Sequence, residues 1–202
     1  MTAHTSTTCP VTPVSGMVLL LCLLFLIALT LLGLSASADA ILQHQLATNL
    51  RESERAKQST LAALNWAEDW LTGLSGTAPQ VCTTACEGLK LHPTGGLPSQ
   101  PQFEDWSWWQ AQGYEAGIDP LSGDRLVTIA ANSSSPPMWI IEVMHEEPAQ
   151  DDEIQVWYRI LARGSGKTEN SVSVTESTVT RSWSTTSSST ADKGRVAWRL
   201  LR

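Results

Sequence analysis

The chain has 202 residues, with 13 Lys+Arg against 20 Asp+Glu and a net charge of −7. That balance excludes a generic nucleic-acid binder, which needs a basic face, and four Cys are too few for a disulfide-dense scaffold. The first 38 residues hold no Asp, Glu, Lys or Arg, so all 33 charged residues follow from Asp39 onward and an uncharged N-terminal piece is joined to an acidic piece of single-domain size.

The uncharged piece contains MVLLLCLLFLIALTLLGL from Met17 to Leu34, with Thr30 as its one hydroxyl. With the small residues up to Ala38 this makes about 20 residues, enough helix to cross a bilayer's hydrocarbon core. A cleaved secretory signal is the competitor, since Ser35-Ala36-Ser37-Ala38 resembles a cleavage site. The apolar run is long for a signal and no basic n-region precedes it, so composition favours an uncleaved membrane helix. Orientation is not set by charge, because Arg51, Arg55 and Lys57 are the nearest cations.

The helix is expected to continue. From Asp39 to Thr72 there is no Pro or Gly, and good helix formers dominate. Apolar residues recur at Leu42, Leu46 and Leu50, then at Leu61, Leu64, Ala67 and Leu71, a spacing of threes and fours. Gly73 and Gly76 are stop signals. The reading is one helix over residues 17–72, apolar all round in its first half (17–38) and amphipathic in its second (39–72), packed onto a small domain over residues 73–202.

Several of these residues together resemble a known family. Ser15-Gly16-Met17 followed by the apolar helix to Ser35-Ala36, then Gln45 to Arg51, then the Ala-rich Leu61 to Trp70, is similar to the N-terminus of PilX-type minor pilins of type IV pili. Tyr158 to Gly166 followed by Val172 to Thr180 resembles that family's final hairpin. The resemblance implies a leader over residues 1–16, cut by a prepilin peptidase between Gly16 and Met17, with methylation of the new Met17 amine. It implies residence in inner-membrane lipid with the C-terminal domain in the periplasm. It also implies assembly with other minor pilins and the major pilin, and contact with a large tip adhesin. Two departures stand out: Pro13-Val14-Ser15 replace the basic residues that usually precede Gly, and Leu21 occupies the place where major pilins carry Glu. A buried carboxylate without a partner costs several kcal/mol, and a subunit with none beyond it has no amine to supply one. Leu21 therefore points to a tip or priming position; the plainer alternative is one more lipid-facing residue.

Residues 77–123 are rich in Pro and Gly and exclude long helices. Beyond them, Arg125–Ala131, Met138–Met144, Ile154–Ala162 and Asn170–Thr180 read as strands, with a short terminal strand in Gly194–Arg202. Short connections imply an antiparallel sheet of about four strands and an α+β, pilin-like fold. Ser182–Thr190 reads as a Ser/Thr-rich loop with little to bury.

In an oxidising periplasm Cys82 and Cys86, within the loop 77–92, read as a disulfide, with a zinc site using His92 as the rival. Nine Trp stand against two Phe and two Tyr, and Trp106, Trp108 and Trp109 cluster in one segment. They serve loop packing first and are a candidate interface second. Asp119 and Asp124 do not follow a calcium-loop pattern, and Glu146-Glu147 with Asp151-Asp152-Glu153 reads as a solvated turn. No catalytic set, metal centre or cofactor motif emerges. The functional expectation is thus a non-catalytic minor pilin acting at the tip. The alternative is a membrane-anchored periplasmic binding module with the Trp-rich loop as its ligand platform.

Overall fold

A computed structural model describes residues 15–82, 89–129, 132–148, 153–184 and 193–201. The leader before Ser15 and Cys86 lie outside the described residues.

The architecture is α+β, as the sequence pattern requires. One long helix, α1 (Ser15–Gly73), is followed by a short helix, α2 (Trp106–Gln112), and five strands: β1 (Tyr114–Glu115), β2 (Met138–Pro148), β3 (Glu153–Ser165), β4 (Val172–Ser184) and β5 (Lys193–Leu200). The sheet runs β1-β2-β3-β4-β5 with every neighbouring pair antiparallel. It is a meander, the topology that short connections favour.

By contact density the chain forms two units, residues 1–48 and 49–202. In the first, every apolar residue from Met17 to Leu34 whose exposure is described faces outward. In the second, α1 buries Ala56, Ala63, Leu64, Ala67 and Leu71 along one stripe against the sheet. Trp139, Ile141, Val156, Tyr158, Ile160, Ala162 and Val179 meet that stripe. The far sheet face carries a smaller core of Met138, Ile140, Leu161 and Val174, closed by Leu97 and by Trp109 from α2.

Three expectations need correction. Arg125–Ala131 is not a ladder strand. Among its described residues only Arg125 forms a bridge, to Ile118. The N–H groups of Leu126 and Val127 both donate to the Gly117 carbonyl, at 2.8 and 3.1 Å, and Leu126 is 64% exposed. The edge place beside β2 goes to Tyr114 and Glu115 instead, paired with Trp139 and Met138. Ser182–Thr190 is likewise not a loop throughout: Ser182, Trp183 and Ser184 continue β4, opposite Gln155, Ile154 and Glu153. Trp183 explains the extension, because it is buried in the main core. Residues 185–190 lie outside the described residues. Glu146 and Glu147 extend β2 rather than forming a turn, though both are exposed.

Candidate functional site

The feature with the largest functional content is α1. Its N-terminal part is long and apolar enough to cross a membrane, by length and composition. Gly16 and Met17 lie at the start of the helix, and Met17 is 69% exposed. Leu21 is also exposed and sits among Leu20, Cys22 and Leu23 with no charged neighbour in the run. Leu42, Leu46 and Leu50, expected to pack helix on helix, are 63, 60 and 58% exposed, so they leave exposed apolar side chains on α1. Of the later apolar residues at helical spacing, Leu61 is 40% exposed, and the buried residues at that level are Thr60, Ala63 and Leu64.

Where α1 meets the sheet, small residues set the spacing. A Cβ on Gly164 would meet the Thr60 amide nitrogen at 2.4 Å and the Ala56 carbonyl at 2.8 Å. The end of β3 is therefore a contact surface for the helix. Gly166 lies against the Glu52 backbone, and the Lys167 amide donates to the Glu52 carboxylate at 2.6 Å. That backbone bond, with Arg55 beside it, holds the Glu52 carboxyl below the usual range.

Farther along, Glu68 accepts from the Ser177 hydroxyl at 2.5 Å and from Arg195 Nε at 2.9 Å, which fixes β4 and β5 to the helix. Arg181 of β4 donates to the Leu71 and Leu74 carbonyls and lies 3.7 Å from the Trp183 ring centroid. On the far face, Arg159 bridges Glu142 at 3.2 Å and Glu176 at 2.7 Å, and Arg199 reaches Glu176 at 3.2 Å. This ladder floors a groove of about 420 Å³ beside Thr94 and Ser99.

The tryptophan segment divides. Trp109 is wholly buried and makes an edge-on contact with Trp108 at 5.5 Å, and Trp106 lies under the Arg163 guanidinium at 4.9 Å. Asp105 caps α2 by accepting from the Trp108 amide at 2.8 Å, which lowers its carboxyl pKa. Trp109 is packed into the far core, and of the three rings Trp106 and Trp108 keep partial exposure.

Cys82 is disulfide-bonded, while its expected partner Cys86 lies outside the described residues. Two of the zinc rival's three ligands are otherwise engaged, because His92 is buried with Nε2 3.1 Å from the Gln112 carbonyl and Cys82 is disulfide-bonded. Asp119 is a turn residue: its carboxylate accepts from the Leu121 amide, Trp70 Nε1 and the Ser122 hydroxyl, all at 3.1 Å, and the Leu121 bond lowers its pKa most.

No family model matches the chain, and no curated protein or solved structure matches it either.

Proposed function

We propose that this chain is a PilX-type minor pilin that primes type IV pilus assembly and sits at or near the pilus tip, without catalytic activity. The observation that carries the reading is α1 itself. One helix is uncharged and exposed from Met17 to Leu34. Without a Pro or Gly break from Ser35 to Thr72 it becomes an amphipathic element that buries Ala56 to Leu71 against an antiparallel sheet. Such a helix fits a subunit stored in a bilayer and then moved into a bundle of like helices, where apolar side chains exchange lipid for one another.

In this reading the inner membrane holds the helix, the domain from Asn49 onward lies in the periplasm, and Leu42, Leu46 and Leu50 extend the bundle contact beyond the lipid. Leu21 supports the tip position, because a carboxylate at that depth needs a cationic partner that a terminal subunit does not meet. The partners are the other minor pilins, the major pilin, the prepilin peptidase and a large tip adhesin.

The mature N-terminus decides the matter. Intact-mass and peptide spectrometry of the membrane-extracted chain is expected to find an N-methylated Met17 as the first residue, and Gly16→Val is expected to leave the leader attached. An intact Met1, or a chain beginning at Asp39 after a signal-type cut, sinks the reading.

A further inference from the structure

The two edges of the sheet are finished differently. At the β2 edge the outer backbone is engaged from Met138 to Met144. Tyr114 and Glu115 pair with Trp139 and Met138. The His92 amide donates to the Ile141 carbonyl at 3.1 Å, the Val143 amide to the His92 carbonyl at 2.9 Å, and the Thr94 hydroxyl to the Val143 carbonyl at 2.8 Å. At the other edge, β5 pairs with β4 alone among the described residues. It is eight residues long, and every residue from Gly194 to Leu200 is exposed.

An edge of that length exposes a row of backbone donors and acceptors that proteins ordinarily blunt with proline, a covering segment or outward charges. β5 contains no proline. Its arginines pair with carboxylates of this chain, Arg195 with Glu68 of α1 and Arg199 with Glu176 of β4. In their place it exposes Val196 (53%), Trp198 (57%) and Leu200 (47%). Trp198 lies opposite Ser177 and Leu200 opposite Thr175, so both stand on the sheet face that carries α1, whereas Arg199, opposite Glu176, stands on the other.

We infer that β5 is a strand-addition site that accepts an extended segment of a partner protein as a sixth, antiparallel strand. The segment is apolar on the α1 side, where it covers Trp198 and Leu200, and acidic on the side of Arg199. The acidic requirement follows from the ladder: the single Glu176 carboxylate serves both Arg159 and Arg199, and the Arg199 side chain remains 67% exposed. A second copy's β5 fits less well, because its sequence KGRVAWRL carries no acidic residue to meet Arg199.

The test uses the full chain in detergent micelles and a short synthetic peptide alternating valine with glutamate, alongside its valine–lysine counterpart. Backbone amide exchange is read by mass spectrometry. The acidic peptide is expected to slow exchange on residues 194–200 by about tenfold, as strand pairing protects amides, while the lysine peptide leaves it unchanged. Trp198→Glu is expected to abolish the protection without moving the thermal midpoint, since that ring is exposed; should it unfold the chain, Arg199→Glu serves instead and is expected to reverse the peptide preference. Unchanged exchange on β5 at saturating acidic peptide, or equal protection by both peptides, overturns the proposal. Protection that rises with protein concentration and no peptide overturns it in favour of self-pairing.

Discussion

Arg181 decides how α1 ends. The last carbonyls of a helix have no intrahelical donor, and the last turn of α1 contains no basic residue to serve them. The donors come from 110 residues away, as Arg181 binds the Leu71 carbonyl and, through its other nitrogen, that of Leu74. The guanidinium lies over the Trp183 ring and is buried, and that burial lowers its pKa. Arg181→Met keeps the apolar stem and removes every donor, so it is expected to cost about 2–3 kcal/mol, the range for hydrogen bonds to a charged group. Arg181→Lys, with one compact ammonium, is expected to restore part of the loss. Urea titration of the detergent-solubilised chain followed by Trp fluorescence measures both, and unchanged midpoints would show that the cap is idle. Nothing local to Gly73 in the sequence announced this cap, because its two halves meet only once β4 is in place.

At the scale of elements, α1 has a buried apolar segment and an exposed one, and their consequences should separate. The buried one carries Ala63, Leu64, Ala67 and Leu71, all wholly buried, and at its start Gly164 approaches the helix backbone at Ala56 and Thr60. The exposed one carries Leu42 and Leu46. Leu64→Ala is therefore expected to cost about 2–5 kcal/mol through the cavity it leaves, with assembly impaired only as far as folding is. Leu46→Gln is expected to change stability by less than about 0.5 kcal/mol yet to reduce surface pili, counted by electron microscopy, in a strain depending on this chain. Equal effects of the two on unfolding would remove the distinction. The long helix was legible because its three-and-four spacing persists over many turns, and β2, β3 and β4 because their apolar runs are long. Arg125–Ala131 misled because β-branched composition describes a strand's side chains, whereas pairing is settled by which backbone reaches β2 first, and Tyr114–Glu115 does. Trp183 was hidden inside a Ser/Thr-rich run whose average polarity outweighed its one large ring. The Trp segment was only half legible: composition flagged it, but depth within the domain, which separates Trp109 from Trp108, depends on how α2 docks.

For the whole molecule, the uneven charge noted along the chain becomes a division of labour. Both apolar cores draw every residue from Ala63 onward, and the earliest buried hydrophobic side chain is Ala56. Residues before Asn49 form a unit of their own, and the apolar side chains described among them are exposed. The first half of α1 therefore adds no buried apolar contact to the domain. A chain beginning at Asn49 is expected to remain soluble without detergent, with a thermal midpoint within a few degrees of the full chain's. A start at Leu61 cuts deeper. It deletes Glu52, whose carboxylate holds the Lys167 amide, and Thr60, whose hydroxyl donates to the Ser173 carbonyl at 3.0 Å. It also strips the backbone against which Gly164 and Gly166 are fitted. Each such contact is worth on the order of 1 kcal/mol, and the buried Ala56 and Thr60 add packing. The shorter chain is thus expected to lose several kcal/mol, which for a domain of this size lowers the midpoint by on the order of 10 °C. Scanning calorimetry on the two truncations separates the cases: if the Asn49 start also falls by that much, the lipid-length half of α1 contributes to folding after all and the division is wrong.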